Sequence, residues 1–227
     1  MRLLTWLLDL FYPPKCVFCR RLLAERETDL CSKCKTSLPV MLSSVKRGEF
    51  FDCCWAAYPY EDPIAASIRR FKFQGMEHYA PAYGRQLAMF LLRNQVEFDL
   101  LTWVPISSRR RKQRGYDQSR LLAEATAQAL GVPCVRTLEK VVDNKPQTQQ
   151  RTAEARQGNV RGAYRVCDPA IVAGKRVLLI DDVITTGATL GECSAMLRIA
   201  GAVRVEAATL AAAMQQDTNI SHKTNSR

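Results

Sequence analysis

The strongest chemical signal in this sequence is at residues 177–189, VLLIDDVITTGAT. An aliphatic run ends in two adjacent carboxylates, Asp181 and Asp182, and a threonine-rich loop leads from them into a segment with helical character. An unbroken aliphatic run is typical of a strand that is buried on both faces of a parallel sheet. Ligands of such sheets bind beyond the carboxyl end of a strand, where the chain turns into the next helix. The pattern therefore predicts a ligand site at this junction.

The loop after the carboxylates has the composition of a phosphate-binding loop. Free N–H groups and the positive dipole end at the start of a helix favour an anion. Gly187 permits close backbone approach, and the threonine hydroxyls add donors. A phosphate here, beside carboxylates that face a diol, would suit a ribose 5-phosphate. The carboxylates could accept hydrogen bonds from the 2′ and 3′ hydroxyls directly or through Mg²⁺. The alternative is an ordinary strand-to-helix turn.

The segment DDVITTGAT resembles the loop that binds phosphoribosyl pyrophosphate (PRPP) in the type I phosphoribosyltransferases. The resemblance implies that PRPP binds here with Mg²⁺, and that Asp181 and Asp182 are the catalytic residues that hold the ribose and the metal. The PRPP-binding residues implied by the same match are Asp181, Asp182, Thr185, Thr186, Gly187, Ala188 and Thr189.

Four of the nine cysteines form two pairs of identical spacing, with eleven residues between the pairs: Cys16, Cys19, Cys31 and Cys34. Two such knuckles complete a tetrahedral site of four thiolates, which suits Zn²⁺ and leaves no open position for chemistry. We therefore expect a structural zinc site that lets a module of about thirty residues fold without a large apolar core. A redox dithiol and two disulfides are the alternatives.

The chain has 227 residues and a net charge of +11, which favours anionic partners such as nucleic acid, phosphorylated small molecules or an anionic membrane surface. A basic protein without any such partner is the alternative. Apolar residues over 3–11 have helical spacing and predict a short amphipathic helix that ends at Pro13 and Pro14. No stretch reaches the roughly 20 apolar residues of a membrane span, so we expect no span and a cytoplasmic protein.

Five cations lie within residues 109–114, directly after a predicted strand at 98–106. In a parallel sheet this run would face the same edge as the phosphate loop. The alternative is a solvated basic turn. The loop after the first core strand handles pyrophosphate in type I phosphoribosyltransferases. By resemblance, we expect pyrophosphate-binding residues at Ser107, Ser108, Arg109, Arg114 and, from a Lys-Phe-Gln-Gly segment, Lys72.

The run VPISSRRRKQRGYDQSRLLA is similar to a signature of the ComF/GntX-like family, as is the segment 156–164. The resemblance implies an α/β fold in which a type I phosphoribosyltransferase-like parallel sheet is flanked by helices. A small N-terminal zinc-ribbon-like module would precede it. We expect an N-terminal helix and zinc module over 1–48, a phosphoribosyltransferase-like domain over 49–213 and a disordered polar tail over 214–227. Residues 138–164 are polar and without period, which predicts a long mobile loop.

These features favour a PRPP-binding protein that transfers or recognises a ribose 5-phosphate group. Whether it is an enzyme stays open, as does its acceptor, and a PRPP sensor without turnover is a further possibility. Members of the ComF family are associated with DNA uptake. The alternative function is therefore the handling of single-stranded DNA on the same scaffold, with protein partners of a DNA-uptake system. The net charge is compatible with such binding.

Overall fold

The computed structural model describes residues 13–41, 44–142 and 162–213. The strands are β1 (Ser44–Lys46), β2 (Cys54–Pro59), β3 (Leu100–Trp103), β4 (Leu138–Lys140), β5 (Tyr164–Val166), β6 (Arg176–Ile184) and β7 (Arg204–Ala212). The helices are α1 (Ser32–Ser37), α2 (Ile64–Phe73), α3 (Ala80–Arg93), α4 (Ser108–Arg114), α5 (Gln118–Leu130), α6 (Pro169–Val172) and α7 (Ala188–Ile199). A 3₁₀ turn at Glu77–Tyr79 leads into α3.

Five strands form one sheet in the order β1–β2–β7–β6–β3. β2, β7, β6 and β3 are mutually parallel, and β1 pairs antiparallel to β2 at the edge. The carboxyl ends of the parallel strands therefore meet at one edge of the sheet. The predicted α/β fold, a parallel sheet flanked by helices, is confirmed.

Helices cover both faces of the sheet. On one face α2, α3 and α5 pack against Leu178 and Ile180 of β6, and on the other α7 packs against Val177 and Leu179. All four of these aliphatic side chains are at most 1% exposed. Their burial on both faces explains why β6 is an unbroken apolar run rather than an alternating one.

The cysteine module packs on the face that carries α2 and α3. The ring of Phe18 lies 5.3 Å from that of Tyr58 in an edge-to-face contact, and stacks with Tyr83 at 6.0 Å. Arg70 of α2 donates a hydrogen bond of 2.7 Å to the carbonyl oxygen of Phe18, and Arg85 of α3 forms a two-pronged ion pair with Asp29. The module is thus attached through both its backbone and its side chains.

Several elements differ from the sequence-based expectations. β6 continues to Ile184, so the two aspartates lie within the strand rather than after it, because Asp181 and Val183 keep their register with β7. The basic run is a helix, α4, and not an open loop. Ser107 caps its start, and Gly115 ends it with a φ of +84°. Arg and Lys are also good helix formers.

The polar segment 138–164 is not a loop throughout, because β4 and β5 pair with each other at its two ends. Residues 143–161 between them lie outside the described residues, as do the predicted N-terminal helix and the predicted tail from residue 214. β1 belongs to the main sheet but lies before residue 48, the end of the predicted N-terminal module. The domain boundaries stay a prediction. None of the helices within the described ranges has the length and apolarity that crossing a bilayer requires.

Candidate functional site

The site begins with the two aspartates near the carboxyl end of β6. Side chains alternate between the two faces of a strand, so Asp182 continues the face of Leu178 and Ile180, while Asp181 belongs to the opposite face. The two adjacent carboxylates have different partners.

Asp182 faces α2 and forms an ion pair with Lys72, with 2.8 Å between Oδ1 and Nζ. Its side chain is 5% exposed and that of Lys72 is 20% exposed. The second oxygen, Oδ2, is buried, and no donor from the described residues reaches it. A buried carboxylate oxygen without a donor is costly, so this oxygen is suited to accept a ligand hydroxyl or a cation.

Asp181 accepts two hydrogen bonds on Oδ1, one from the hydroxyl of Ser119 at 2.7 Å and one from the backbone N–H of Asp182 at 2.9 Å. Burial, and then the charge of Asp182, raise the pKa of Asp181 to about 7. The Lys72 ammonium and the two hydrogen bonds oppose that rise. Asp181 thus keeps its proton to a higher pH than an ordinary aspartate does.

The aspartates open into a cavity of about 320 Å³ at the carboxyl edge of the sheet. Four cationic side chains and two carboxylates line it. The cations suit the phosphate groups of a ligand, and the carboxylates suit its hydrogen-bond donors. Its lining residues are Tyr60, Lys72, Val104, Pro105, Ile106, Arg110, Arg114, Gln118, Ser119, Lys140, Tyr164, Asp181, Asp182, Val183, Thr185 and Thr189.

The predicted phosphate loop connects β6 to α7. Gly187 is the residue before α7 and has a φ of +84°, a left-handed conformation that favours glycine. The hydroxyl of Thr186 accepts a hydrogen bond of 3.3 Å from the backbone N–H of Ala188. Thr185 and Thr189 are exposed and line the cavity. Thr186, Gly187 and Ala188 belong to the same turn but are not in its lining.

The structure separates the predicted pyrophosphate residues into two groups. Lys72 and Arg114 line the cavity, and Arg114 also lies 4.8 Å above the ring of Phe73. Ser107 is 5% exposed and caps α4, where its hydroxyl accepts from the N–H of Arg110 at 3.3 Å.

The other two predicted residues lie away from the cavity. Ser108 borders a smaller, neighbouring cavity of about 190 Å³, and Arg109 is exposed. The ligand-binding roles of all five predicted residues stay predictions.

Several residues that line the cavity are not among those predicted from the sequence. Ser119 contacts Asp181, which lies 62 residues further along the chain, and no local sequence pattern predicts such a contact. Lys140 and Tyr164 come from β4 and β5, with 3.1 Å between the Lys140 Nζ and the Tyr164 hydroxyl. Arg110 was visible only as one member of the basic run. Arg110, Gln118, Ser119 and Tyr164 all lie within the two segments that are similar to the family signature, but the resemblance assigned none of them a role.

The four predicted zinc ligands converge in the N-terminal module. The sulfur atoms of Cys16, Cys19, Cys31 and Cys34 lie within 4.8 Å of one another, and none is in a disulfide. Cys19 and Cys31 have their sulfurs 3.5 Å apart. A tetrahedral zinc with Zn–S bonds of about 2.3 Å requires sulfur atoms at roughly this spacing. The donor set therefore fits a structural zinc ion.

Comparison with known proteins agrees with both parts of the fold. A model of the phosphoribosyl transferase domain matches residues 117–225, and a model of the double zinc ribbon domain matches residues 7–45. The chain therefore combines a phosphoribosyl transferase domain with an N-terminal zinc ribbon.

Within that class, the predicted relationship to the ComF/GntX-like family is confirmed by relatives along most of the chain. Competence protein F of Haemophilus influenzae is 26% identical over 226 residues, which cover 89% of this chain and 99% of that protein. DNA utilization protein YhgH of Escherichia coli K12 is 28% identical over 222 residues, covering 86% and 95%. Competence protein ComFC of Bacillus subtilis is 26% identical over 136 residues, covering 60% and 53%.

A solved structure of the glutamine PRPP amidotransferase from B. subtilis, complexed with ADP and GMP, is 30% identical with a TM-score of 0.40. The similarity covers 56% of this chain, which spans about a quarter (25%) of that longer one.

Proposed function

We propose that this protein binds PRPP in the cavity at the carboxyl end of β6, and that it transfers or recognises the ribose 5-phosphate group. The observation that carries the proposal is the buried Oδ2 of Asp182, which has no donor among the described residues and belongs to a cavity lined by cations. A ligand that joins hydroxyl groups to phosphates satisfies both halves of such a cavity.

In this proposal each part of the cavity has one role. Asp181 and Asp182 accept hydrogen bonds from the ribose hydroxyls and hold Mg²⁺. The turn 185–189 binds the 5-phosphate through its hydroxyls and N–H groups. Arg110 and Arg114, which line the cavity from α4, bind the pyrophosphate. Ser107, Ser108, Arg109 and Lys72 complete our predicted set for the pyrophosphate.

If the protein is an enzyme, the reaction is a displacement at C1 of the ribose. The C1–O bond to pyrophosphate breaks with its electrons on the leaving oxygen, a C1–N bond to a nitrogen nucleophile forms, and the nitrogen loses a proton to water. Positive charge develops on the sugar, beside the carboxylates, and negative charge on the leaving group, beside the cations. Bound Mg²⁺ would supply further positive charge at the leaving group.

Calorimetric titration with PRPP and Mg²⁺ tests the binding. The unaltered protein should bind saturably. Asp182→Asn should weaken binding about ten-fold or more, because it removes the negative charge that holds the ribose hydroxyls and Mg²⁺. The matched control is Glu49→Gln, which changes an exposed carboxylate and should bind normally. Absence of saturable binding to the unaltered protein would contradict the proposal.

Pyrophosphate release in the presence of a panel of nucleobases and amines then separates an enzyme from a sensor. Release that depends on one nitrogen compound identifies the acceptor. Binding of PRPP without release from any member of the panel favours a sensor.

A second candidate function is the handling of single-stranded DNA, with protein partners of a DNA-uptake system. Relatives named for competence and for DNA utilization favour it. So does α4, which carries five cations and has no buried residue. Binding of single-stranded oligonucleotides should weaken steeply with added salt, since bound cations release counterions. Arg111→Gln, which changes an exposed cation of α4, should reduce the salt dependence. Affinity independent of salt would contradict this function.

A further inference from the structure

Gln118 is a buried polar residue for which the fold alone gives no reason. It is the first residue of α5, follows the capping residue Asp117 and precedes Ser119, which holds Asp181. Its side chain is 4% exposed and lines the cavity. The amide oxygen is buried, and none of the described residues donates a hydrogen bond to it.

Such atoms are few in this protein. Across the described part of the chain, four buried side-chain nitrogen or oxygen atoms have no partner, and two of them, Gln118 Oε1 and Asp182 Oδ2, belong to residues that line this cavity. Both are acceptors. A buried acceptor without a donor destabilises the folded state, so its retention in a cavity points to a donor that arrives with a ligand.

The amide oxygen of Gln118 is unsuited to the phosphate groups, because two acceptors repel each other. Arg110, Arg114 and Lys140 already line the cavity with positive charge for those groups. The groups of PRPP that can donate are its ribose hydroxyls. Ser119, the neighbour of Gln118, donates a hydrogen bond to Asp181, one of the two carboxylates to which we assign those hydroxyls.

We infer that Gln118 is a further ligand-binding residue whose amide oxygen accepts a hydrogen bond from a ribose hydroxyl of the phosphoribosyl ligand. The inference rests on the proposed function. It assigns the recognition of the sugar to two elements, β6 through the carboxylates and α5 through Gln118. The cations bind the phosphates.

The test replaces Gln118 with methionine, which has similar length but no hydrogen-bonding oxygen. The matched control is Gln128→Met, which changes an exposed glutamine of the same helix. Two ligands are titrated, PRPP with Mg²⁺ and pyrophosphate with Mg²⁺, since pyrophosphate has no sugar hydroxyl. Melting temperatures of the ligand-free proteins are measured alongside.

Gln118→Met should weaken PRPP binding about ten-fold, which corresponds to about one lost hydrogen bond, and leave pyrophosphate binding unchanged. It should also raise the melting temperature of the free protein, because it removes an unsatisfied buried acceptor. Gln128→Met should change neither affinity. A residue with a merely structural role would lower the melting temperature and leave the ratio of the two affinities unchanged, and that result would overturn the inference.

The outcomes also separate this inference from the proposed function. Unchanged PRPP binding in Gln118→Met, with weakened binding in Asp182→Asn, overturns the inference and leaves the proposed function standing. If the unaltered protein binds pyrophosphate but not PRPP, both are overturned.

Discussion

At the residue scale, two neighbouring aspartates of one strand have different ionic and hydrogen-bonding partners. Asp182 pairs with Lys72 on α2, and Asp181 accepts a hydrogen bond from Ser119 at the start of α5. Asp182 has a cationic partner, whereas Asp181 has only neutral donors in direct contact. Burial and the neighbouring charge raise the pKa of Asp181 to about 7. Asp181 therefore keeps its proton to a higher pH than an ordinary aspartate does.

The raised pKa of Asp181 predicts a pH dependence of stability. Between the unfolded pKa of about 3.9 and the folded pKa of about 7, the folded protein binds more protons than the unfolded chain. The free energy of unfolding should therefore fall as pH rises through this window, by up to about 1.4 kcal/mol per pH unit from this group. Asp181→Asn should remove that contribution. Denaturant unfolding of both proteins between about pH 4 and pH 7 measures it, and parallel curves would contradict it.

The ion pair of Lys72 with Asp182 predicts a large effect on stability. Lys72→Met removes the cation that pairs with Asp182, whose side chain is 5% exposed. The substitution should lower the free energy of unfolding by about 3 kcal/mol, because it leaves a buried carboxylate unpaired. Lys175→Met changes an exposed lysine and serves as the control, with an expected change below about 0.5 kcal/mol. Equal unfolding midpoints for the two variants would show that the pair contributes little.

At the element scale, the position of α5 depends on a close approach to α3. Gly84 of α3 faces the backbone of α5, and a Cβ at this position would lie 2.5 Å from the carbonyl carbon of Ala125. No real Cβ tolerates that distance, so the helices would have to separate. Because α5 carries Gln118 and Ser119, this contact holds two residues of the cavity in place.

Two glycine substitutions in helices should have opposite effects. Gly84→Ala should lower the free energy of unfolding by about 1–3 kcal/mol, since it overfills the contact between α3 and α5. Gly191→Ala, in α7, meets nothing within 4 Å and should raise stability by about 0.5–1 kcal/mol, since alanine favours the helix. Thermal unfolding compares them. A shift of the same sign in both variants would contradict the packing described here.

At the scale of the whole molecule, the zinc ribbon and the phosphoribosyl transferase domain share one apolar core. Phe18 of the module is 1% exposed and packs against Tyr58 and Tyr83 of the larger domain. The metal site holds the turn on which Phe18 lies, between Cys16 and Cys19. We therefore expect loss of zinc to destabilise the sheet as well as the module.

Cys34→Ser should release the zinc and lower the free energy of unfolding of the whole protein by at least about 3 kcal/mol, the typical effect of losing one buried phenylalanine. Cys167→Ser changes an exposed cysteine outside the cluster and should do neither. Metal analysis and calorimetry give the two readouts. One zinc per chain is expected in the unaltered protein, and a metal-free protein with normal stability in Cys34→Ser would contradict the account.

The sequence predicted those parts of the molecule that depend on local patterns. The aliphatic run at 177–180 lies in a buried parallel strand as its composition indicated, and the paired cysteines lie together as their spacing indicated. The sequence did not predict that α4 is helical. The adjacent like charges of the basic run favoured a loop, although Arg and Lys are good helix formers. Nor did the sequence predict Ser119 beside Asp181, since that contact depends on how α5 packs against the sheet. Tertiary contacts of this kind have no local signature.

The central claim is that a phosphoribosyl ligand occupies the cavity at the carboxyl end of β6. A crystal structure of the unaltered protein with PRPP and Mg²⁺ tests it most directly. We predict the 5-phosphate on the turn 185–189, the ribose hydroxyls on Asp181 and Asp182, and the pyrophosphate toward Arg110 and Arg114. Ligand density elsewhere on the protein, with the cavity closed by its own side chains, would contradict the claim.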